Sequence, residues 1–209
     1  MSIGGVYAIT PAIPETRHLV TLCEAALKGG VAALQYREKT GDVALRHEQA
    51  SELLELCRQY GVPFIVNDDL RLADLIGADG VHLGQDDGPL REARIILGPG
   101  KLIGVSCYQS LDLAQQAQSQ NADYVAFGSF FPSPTKPQAR RADSSLLLAA
   151  SRKISLPIVA IGGINVDNAS ELIDAGADAI AVISALFEAP DVEAAARCLN
   201  ALFEIESEN

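Results

Sequence analysis

Short apolar runs, each followed by a segment of helical periodicity, recur eight times along this chain of 209 residues. The runs lie at 6–10, 32–36, 63–67, 80–84, 102–106, 124–129, 157–162 and 179–184. They do not alternate apolar with polar residues, so we predict strands that are buried on both faces, as in a parallel sheet. The repeated order of strand and helix limits the fold to the α/β class.

Two of the segments between the runs, 16–30 and 42–61, have the periodicity of helices with one apolar face. Glycine adopts the left-handed conformation that often ends a helix. We therefore expect helices to end at Gly29, Gly61 and Gly77.

Three related heptapeptides, at 77–83, 121–127 and 176–182, each place Gly or Asn, then Ala-Asp, before an apolar run. Eight such strand-helix units in 209 residues predict a single-domain (β/α)8 TIM barrel over 1–209, near the lower size limit of that fold. A doubly wound open sheet is the alternative. It is disfavoured because "IGGI" at 161–164 differs from the glycine fingerprint of a dinucleotide site.

The charge balance restricts the partners of the chain. With 16 Lys and Arg residues against 27 Asp and Glu residues, the formal charge is −11. Nucleic acid and anionic membranes are therefore disfavoured as partners. No apolar run approaches the roughly 20 residues of a membrane-spanning helix, and the first ten residues do not resemble a secretory leader. These features predict a cytoplasmic protein.

The cysteines and histidines do not form a metal or redox motif. The four cysteines are Cys23, Cys57, Cys107 and Cys198, without C-x-x-C spacing. We predict that they are buried free thiols. No two of the three histidines have the spacing of a ligand pair on a helix, which argues against a zinc enzyme.

Polar residues that follow the strands of such a barrel share one face. After the second run, in "QYREK", Gln35, Arg37 and Lys39 alternate along the chain and project to the same side. Two cations and one amide suit a phosphate that is bound beside a hydrogen-bonding ring.

Aspartates follow the third run in "NDD" and the fourth in "HLGQDD". Carboxylates on neighbouring strand ends suit Mg²⁺ completed by phosphate oxygens and water, and we assign this role to Asp68 and Asp87. Asp69 and Asp86 are expected to cap helices or to lie behind the metal ligands, and capping remains the alternative for any of these aspartates. For His82, a structural and a catalytic role both stay open.

The later strands add a hydroxyl and a phosphate site. Ser106 ends the fifth run, Gly162 ends the seventh, and Gly163 directly follows it. Glycines there, with "VIS" at 182–184 and a short extra helix, are typical of backbone phosphate binding in this fold. A tight turn alone is the other explanation for the glycines. The combined pattern predicts two phosphorylated substrates.

The loop after the sixth run, "GSFFPSPTKPQARR" at 128–141, crowds three prolines around Lys136. Proline restricts the backbone and reduces the entropy that is lost when a loop is ordered. We therefore expect Lys136 to be held near a working position. Arg140 and Arg141 are interpreted as solvated or helix-flanking residues.

Seven motifs occur in a fixed order over nearly the whole chain: "QYREK", "NDD", "VHLGQDD", "GVS", "PSPTKP", "AIGGI" and "AVIS". Together they resemble the thiamine-phosphate synthase family. The resemblance implies that hydroxymethylpyrimidine diphosphate and hydroxyethylthiazole phosphate are joined to give thiamine phosphate, with release of pyrophosphate. It also implies Mg²⁺ as the cofactor.

The resemblance implies a role for each matching residue. Contacts to the pyrimidine diphosphate would come from Gln35, Arg37, Lys39, Asn67, Ser106 and Lys136, of which Arg37, Lys39, Ser106 and Lys136 would be catalytic. The implied Mg²⁺ ligands are Asp68 and Asp87. The thiazole phosphate would be bound by Ser133, Thr135, Gly163, Ile183 and Ser184. Family members commonly carry threonine where this chain has Ser133, which keeps a hydroxyl group.

Three other functions stay open at this point. A related thiazole tautomerase would not need the full set of cations and carboxylates. A decarboxylase or epimerase of the ribulose-phosphate type would need an Asp-x-Lys-x-x-Asp arrangement, which these strand ends do not supply. A non-catalytic phosphate-binding barrel is the third. The sequence is silent on oligomeric state, so a homo-oligomer also stays open.

Overall fold

A computed structural model of the chain describes residues 3–85, 87–132 and 140–204. Eight parallel strands form a closed barrel in chain order. The strands are β1 (Gly5–Ile9), β2 (Ala33–Tyr36), β3 (Phe64–Asn67), β4 (Gly80–Leu83), β5 (Leu102–Tyr108), β6 (Tyr124–Gly128), β7 (Ile158–Ile161) and β8 (Ala179–Val182). The closed barrel confirms the predicted (β/α)8 fold and excludes the open sheet.

Helices surround the barrel and follow its strands in the chain. They are α1 (Thr16–Lys28), α2 (Val43–Tyr60), α3 (Leu70–Ile76), α4 (Leu90–Leu97), α5 (Leu111–Ser119), α6 (Ser145–Ser151), α7 (Ala169–Asp174), α8 (Ser184–Phe187) and α9 (Val192–Glu204). One apolar cluster fills the space between helices and strands, and a second fills the barrel interior. Across the described ranges, no helix combines the length and apolar character that crossing a bilayer requires.

The aspartate of each repeated heptapeptide joins two neighbouring strands. Its Oδ2 atom accepts a hydrogen bond from a backbone N–H near the start of the preceding strand. The bonds are Phe64 N to Asp79, 3.0 Å, Ile103 N to Asp123, 2.7 Å, and Ile158 N to Asp178, 2.7 Å. The repeat therefore holds neighbouring strands together at the amino end of the barrel. Contacts at that end stabilise the fold and do not take part in the chemistry.

Helices end at all three predicted glycines, but the left-handed conformation is present at only two of them. Gly61 and Gly77 have φ angles of 68° and 69°, in the left-handed region. Gly29 has a φ of −76°, and its neighbour Gly30 has the positive φ, at 88°. A Cβ atom on Gly29 would overlap Ala196 of α9. The close packing of α1 on α9 is therefore the physical reason for a small residue at Gly29.

The prediction of buried thiols holds for three cysteines and is wrong for the fourth. Cys23, Cys57 and Cys107 are buried, whereas Cys198 is exposed on α9. Burial raises the pKa of the Cys57 thiol to about 12. The buried thiols therefore lack both access to solvent and the reactive thiolate form.

We expect one thiol of the folded chain to react rapidly with a chromogenic disulfide reagent at neutral pH, and all four after denaturation. The reason is that only Cys198 is open to solvent among the cysteines. Absorbance at fixed reagent concentration measures both values. Cys198→Ser should abolish the rapid phase, and a rapid phase that survives this change would contradict the burial of the other three.

Candidate active site

The carboxyl ends of the strands surround a cavity of about 800 Å³. Because the strands are parallel, residues that are far apart in the chain meet at this mouth. Seven of the predicted site residues line the cavity, namely Gln35, Arg37, Asn67, Ser106, Gly163, Ile183 and Ser184. Ser133, Thr135 and Lys136 lie outside the described residues.

The residues of "QYREK" alternate in direction as β2 ends. Gln35 and Arg37 face the cavity, whereas Tyr36 packs into the apolar layer between barrel and helices. Lys39 does not line the cavity. Its Nζ atom instead lies 3.1 Å from an Oδ2 atom of Asp68. The motif thus supplies an amide and a guanidinium to the cavity and an ammonium group to the carboxylates beside it.

The described lining of this cavity has a small excess of positive charge, although the whole chain carries a formal charge of −11. Its charged side chains are those of Arg37, Arg140 and Glu188. The backbone N–H of Arg37 donates to Thr10 Oγ1 at 2.9 Å, which holds the residue at the end of β1. Within the described ranges, Arg37 has no carboxylate in an ion pair. Its guanidinium is therefore available to an anionic ligand.

Asp68 and Asp87 lie beside each other at the ends of β3 and β4. Asp68 has a φ of 63°, a conformation that aspartate tolerates better than most residues, and its N–H donates to His82 O at 2.9 Å. Asp87 accepts a hydrogen bond from Gly84 N at 2.7 Å. Burial, followed by the neighbouring Asp68, raises the pKa of Asp87. Two crowded carboxylates with one lysine between them favour the binding of a further cation.

Asp69 has the structural role that the sequence suggests. Its side chain accepts a hydrogen bond from Leu72 N at 2.9 Å and so caps α3. Asp69 also pairs with Arg46 at 3.1 Å. Asp69 thus turns toward the helices, while the adjacent Asp68 turns toward Lys39. Asp86 lies outside the described residues.

A series of hydrogen bonds crosses the barrel interior at the floor of the cavity, where Gln35, Tyr7, His82 and Ser106 all line it. It runs from Gln35 to Tyr7 (2.9 Å), Tyr124 (2.7 Å), His82 (3.0 Å) and Ser106 (2.9 Å). Burial lowers the pKa of His82 to about 4, so the imidazole is neutral near pH 7. His82 is therefore hydrogen-bonded at both ring nitrogens inside the barrel. The series begins at one predicted site residue, Gln35, and ends at another, Ser106.

Tyr7 and Tyr124 were not among the residues that the sequence indicated. Both tyrosines are fully buried, and the two rings meet edge to face with centroids 5.9 Å apart. A usable signal was present, because a tyrosine in an otherwise apolar strand brings a hydroxyl that must find a partner when buried. The identity of that partner was not readable from the strand alone.

Arg140 was interpreted as solvated or helix-flanking, and this interpretation is incomplete. The residue is exposed but also lines the cavity. Gln109, from the loop after β5, donates to the carbonyl oxygens of Gly128 and Arg140, the latter at 3.0 Å. This contact fastens the chain near Arg140 to the cavity wall.

Gly162 and Gly163 are required by the backbone itself. Their φ angles are 110° and 64°, and a Cβ atom would overlap Ser129 at the first position and the chain at Phe131 and Pro132 at the second. The turn explanation is therefore sufficient for both glycines. Gly163 nevertheless lines the cavity, so a second use of that position is compatible with its structural role.

The short extra helix expected after β8 is present as α8. Ile183 lies directly before it and Ser184 is its first residue, and both line the cavity. The first N–H groups of a helix have no partner within the helix. The mouth of β8 thus presents backbone donors to the same cavity that Arg37 enters from β2.

Comparisons with known proteins agree over almost the whole chain. A family model described as thiamine monophosphate synthase matches residues 6–186. A protein of Thiobacillus denitrificans named thiamine-phosphate synthase is 69% identical over 205 residues, which cover 98% of this chain and 97% of the relative. A protein of Methylobacillus flagellatus with the same name is 57% identical over 201 residues, 96% of each chain.

Solved structures give the same family and a wider set with the same fold. The thiamine phosphate pyrophosphorylase from Pyrococcus furiosus superposes with a TM-score of 0.87 at 38% identity and covers 96% of both chains. The orotidine 5′-phosphate decarboxylase from Pyrococcus horikoshii has a TM-score of 0.70 at 15% identity, covering 95% of this chain and 99% of its own. At that identity the likeness concerns the fold alone, because one barrel supports many chemistries.

Proposed function

This chain belongs to the thiamine monophosphate synthase family, and on that premise we propose how its barrel mouth carries out the reaction. The chain is a transferase for thiamine-phosphate synthesis, like its full-length relatives. It joins hydroxymethylpyrimidine diphosphate to hydroxyethylthiazole phosphate and releases pyrophosphate.

One observation carries the assignment. The guanidinium of Arg37, which forms no ion pair with a described residue, faces the cavity, and Lys39, Asp68 and Asp87 form a cluster just after β2, β3 and β4. Backbone donors near Ile183 and Ser184 face the same cavity from β8. The cavity thus has two separate anion-binding sides: the first arc, at the ends of β2 to β4, and the second arc, at the ends of β7 and β8. Two such sides suit a diphosphate and a monophosphate that react with each other.

On the first arc, Gln35, Asn67 and Ser106 would bind the pyrimidine diphosphate through their amide and hydroxyl groups. Arg37, Lys39 and Lys136 would offset the negative charge that grows on the diphosphate as it departs. Electrostatic groups that are already in place before the bond breaks are the most effective kind, because they cost no reorganisation during the reaction. The tether from Arg37 to Thr10 supports this role.

The residues present fit a magnesium ion. Asp68 and Asp87 provide hard oxygen ligands, and burial, followed by the neighbouring Asp68, raises the pKa of Asp87. Among the side chains that the structure describes, no group of three or more metal-ligating residues occurs, so substrate oxygens and water would complete the shell. When bound, Mg²⁺ would supply positive charge to the diphosphate oxygens.

The bond changes need no nucleophile from the protein. The C–O bond between the pyrimidine methylene and the diphosphate breaks, and its electron pair leaves with pyrophosphate. The amino group of the pyrimidine stabilises the resulting cation, and the lone pair of the thiazole nitrogen then forms the C–N bond. The chain contributes alignment of the two substrates and charge stabilisation.

On the second arc, the thiazole phosphate would be bound at the ends of β7 and β8. Gly163 allows a close approach of ligand to backbone, and the first turn of α8 at Ile183 and Ser184 offers N–H donors. Ser133 and Thr135 would add hydroxyl groups from the loop that also carries Lys136. This loop would then contact both substrates.

Incubation of the chain with both phosphorylated precursors and Mg²⁺ tests the function. We expect equal amounts of thiamine phosphate and pyrophosphate, and neither product when either precursor is omitted. A folded chain that binds the precursors without turnover would instead be a non-catalytic phosphate-binding barrel. Isomerisation of the thiazole alone would indicate the tautomerase.

Lys136→Ala should lower kcat about 100-fold while the affinity for thiazole phosphate changes little, because the lysine would act on the departing diphosphate. Steady-state kinetics and a direct binding titration measure the two effects. Arg141→Ala, an exposed arginine close by in the chain, is the matched control and should leave both values unchanged. Equal losses of turnover and thiazole affinity would contradict this role.

We also propose that one catalytic domain spans residues 1–209 and that the enzyme works in the cytoplasm. Its partners are small phosphorylated molecules rather than nucleic acid or membrane, in keeping with a charge of −11. A homo-oligomer stays open.

A further inference from the structure

We infer that the buried hydrogen bonds from Gln35 to Ser106 run in a single direction and present the hydroxyl hydrogen of Ser106 to the cavity. Tyr7, Tyr124 and His82 are then positioning residues, which act on the substrate through Ser106. The inference rests on the proposed function only for the identity of the ligand that Ser106 meets. The direction itself follows from which atoms of these five side chains can donate and which can accept.

The direction begins at Gln35, whose Nε2 atom donates to the hydroxyl oxygen of Tyr7 at 2.9 Å. A tyrosine hydroxyl has one hydrogen to donate. The Tyr7 oxygen accepts from Gln35, and among the described residues the acceptor within reach of the Tyr7 hydrogen is the hydroxyl oxygen of Tyr124 at 2.7 Å, so we assign Tyr7 as the donor of that bond. Tyr124 consequently keeps its own hydrogen for the next bond.

The next bond joins the Tyr124 hydroxyl to Nδ1 of His82 at 3.0 Å. Since Tyr124 donates, Nδ1 must accept, and a neutral imidazole that accepts at Nδ1 carries its hydrogen on Nε2. That Nε2–H then donates to Ser106 Oγ at 2.9 Å. The Ser106 oxygen is thereby used as an acceptor, and its own hydrogen remains free for a ligand.

The opposite direction would give a different site. If the Gln35 amide were turned by 180°, its oxygen would accept from Tyr7, and each later bond would reverse in turn. His82 would then carry its hydrogen on Nδ1, and Ser106 would donate to His82. In that state Ser106 would meet the ligand only as an acceptor, which does not suit an anionic oxygen. The choice of direction therefore decides what Ser106 can bind.

Packing around Tyr124 holds the hydrogen-bonded side chains in place. Tyr124 pairs with Gly104 in the β5–β6 register, and its ring occupies the space that a Cβ atom on Gly104 would need. The Tyr124 ring also lies against His82, with centroids 5.6 Å apart. Burial raises the pKa of both Tyr7 and Tyr124, so each hydroxyl keeps its hydrogen. Fixed rings and permanent donors make the direction a stable property of the fold.

The free hydrogen of Ser106 matches a hydrogen-bond acceptor of the pyrimidine diphosphate, either an anionic oxygen or a ring nitrogen. Ser106 and Gln35, the two ends of the hydrogen-bond series, both line the cavity and so face the same ligand. The amide oxygen of Gln35 is left to accept a hydrogen bond there. The hydrogen-bond series thus places one acceptor, the Gln35 amide oxygen, and one donor, the Ser106 hydroxyl, on the floor of the site.

Nitrogen-15 NMR of the full chain, labelled at histidine, tests the direction without any turnover. We expect His82 to be a neutral imidazole with its hydrogen on Nε2 at neutral pH. His18 and His47, both exposed, provide reference signals, and loss of one signal in His82→Gln gives the assignment. A hydrogen on Nδ1 of His82, or an imidazolium, would overturn the inference.

Two variants of equal size test the positioning role. Tyr124→Phe removes the donor to Nδ1, so His82 should sample both tautomers and kcat/KM for the pyrimidine diphosphate should fall about tenfold. Tyr7→Phe also removes one buried hydroxyl but leaves His82 Nδ1 as the described partner of the Tyr124 hydroxyl. A buried hydroxyl hydrogen is costly to leave unbonded, so Tyr124 should still donate, the tautomer should persist and the loss should be smaller. Equal losses, or a tautomer unchanged in Tyr124→Phe, would contradict the inference.

The direction of the hydrogen bonds and the proposed function can be contradicted independently of each other. A chain that has His82 protonated at Nε2 but makes no thiamine phosphate would contradict the proposed function and leave the direction of the hydrogen bonds intact. An active chain with the hydrogen on Nδ1 would contradict the direction and leave the function intact. The wild-type spectrum decides the direction even if Tyr124→Phe fails to fold.

Discussion

Replacement of Arg37 by alanine should lower kcat/KM for the pyrimidine diphosphate by about 100-fold or more, the range that is typical when a charge-stabilising donor is lost from a reaction site. The guanidinium lines the cavity and forms no ion pair with a described residue, so it is free to meet the diphosphate. Because negative charge grows on the leaving group in the transition state, kcat should fall more than KM rises. Steady-state kinetics with the pyrimidine substrate varied measure both values.

Arg152→Ala is the matched control for this change. Arg152 is exposed at the end of α6 and does not line the cavity, so its loss removes the same charge without touching the site. Arg37→Lys should recover only part of the activity, because lysine keeps the charge but lacks the planar pair of donors. A rise in KM alone, with kcat unchanged, would assign Arg37 to ground-state binding and contradict a role on the leaving group.

Asp87→Asn should raise the Mg²⁺ concentration needed for half-maximal activity by about tenfold or more, which is the scale of loss when a group that supports a metal is removed. A neutral amide oxygen is a weaker ligand for a hard cation than a carboxylate. The change also removes the carboxylate whose pKa is raised by burial and then by the neighbouring Asp68. Activity measured across a Mg²⁺ titration after treatment with a chelator gives the value.

Asp69→Asn is the control for the metal prediction. Asp69 caps α3 and pairs with Arg46, and asparagine can also cap a helix, so the fold should persist with the same loss of charge. Its Mg²⁺ titration should match that of the unchanged chain. If Asp87→Asn also leaves the titration unchanged, Asp87 is not a metal ligand.

The barrel could be predicted from the chain because its signals are local. Each apolar run is long enough for one buried strand, and the second run ends at Tyr36 both in the prediction and in the structure. β5 is an exception, since it extends to Tyr108, beyond the predicted end at Ser106. A register shift between Ser106 and Tyr108 lengthens the strand, and such a bulge depends on the pairing with β6.

Much of the site could be predicted for a related reason. In a barrel of parallel strands, residues in the last positions of a strand or just after it reach the same mouth, so Gln35, Arg37, Asn67 and Ser106 converge without further information. The separate tasks of Asp68 and Asp69 followed less directly. Adjacent residues of the same type differ here because Asp68 adopts a positive φ and pairs with Lys39, while Asp69 caps a helix.

Local pattern therefore carries the order of strands, the helix-ending glycines Gly61 and Gly77, and the set of groups at the mouth, because each depends on a few neighbouring residues. Contacts across the barrel do not follow from such patterns. Tyr7 and Tyr124 are 117 positions apart, yet their hydroxyls are hydrogen-bonded and decide, through His82, which atom of Ser106 meets the ligand. A hydrogen bond needs both partners within about 3 Å and in the right orientation, and closure of the barrel is what brings these two strands to that distance.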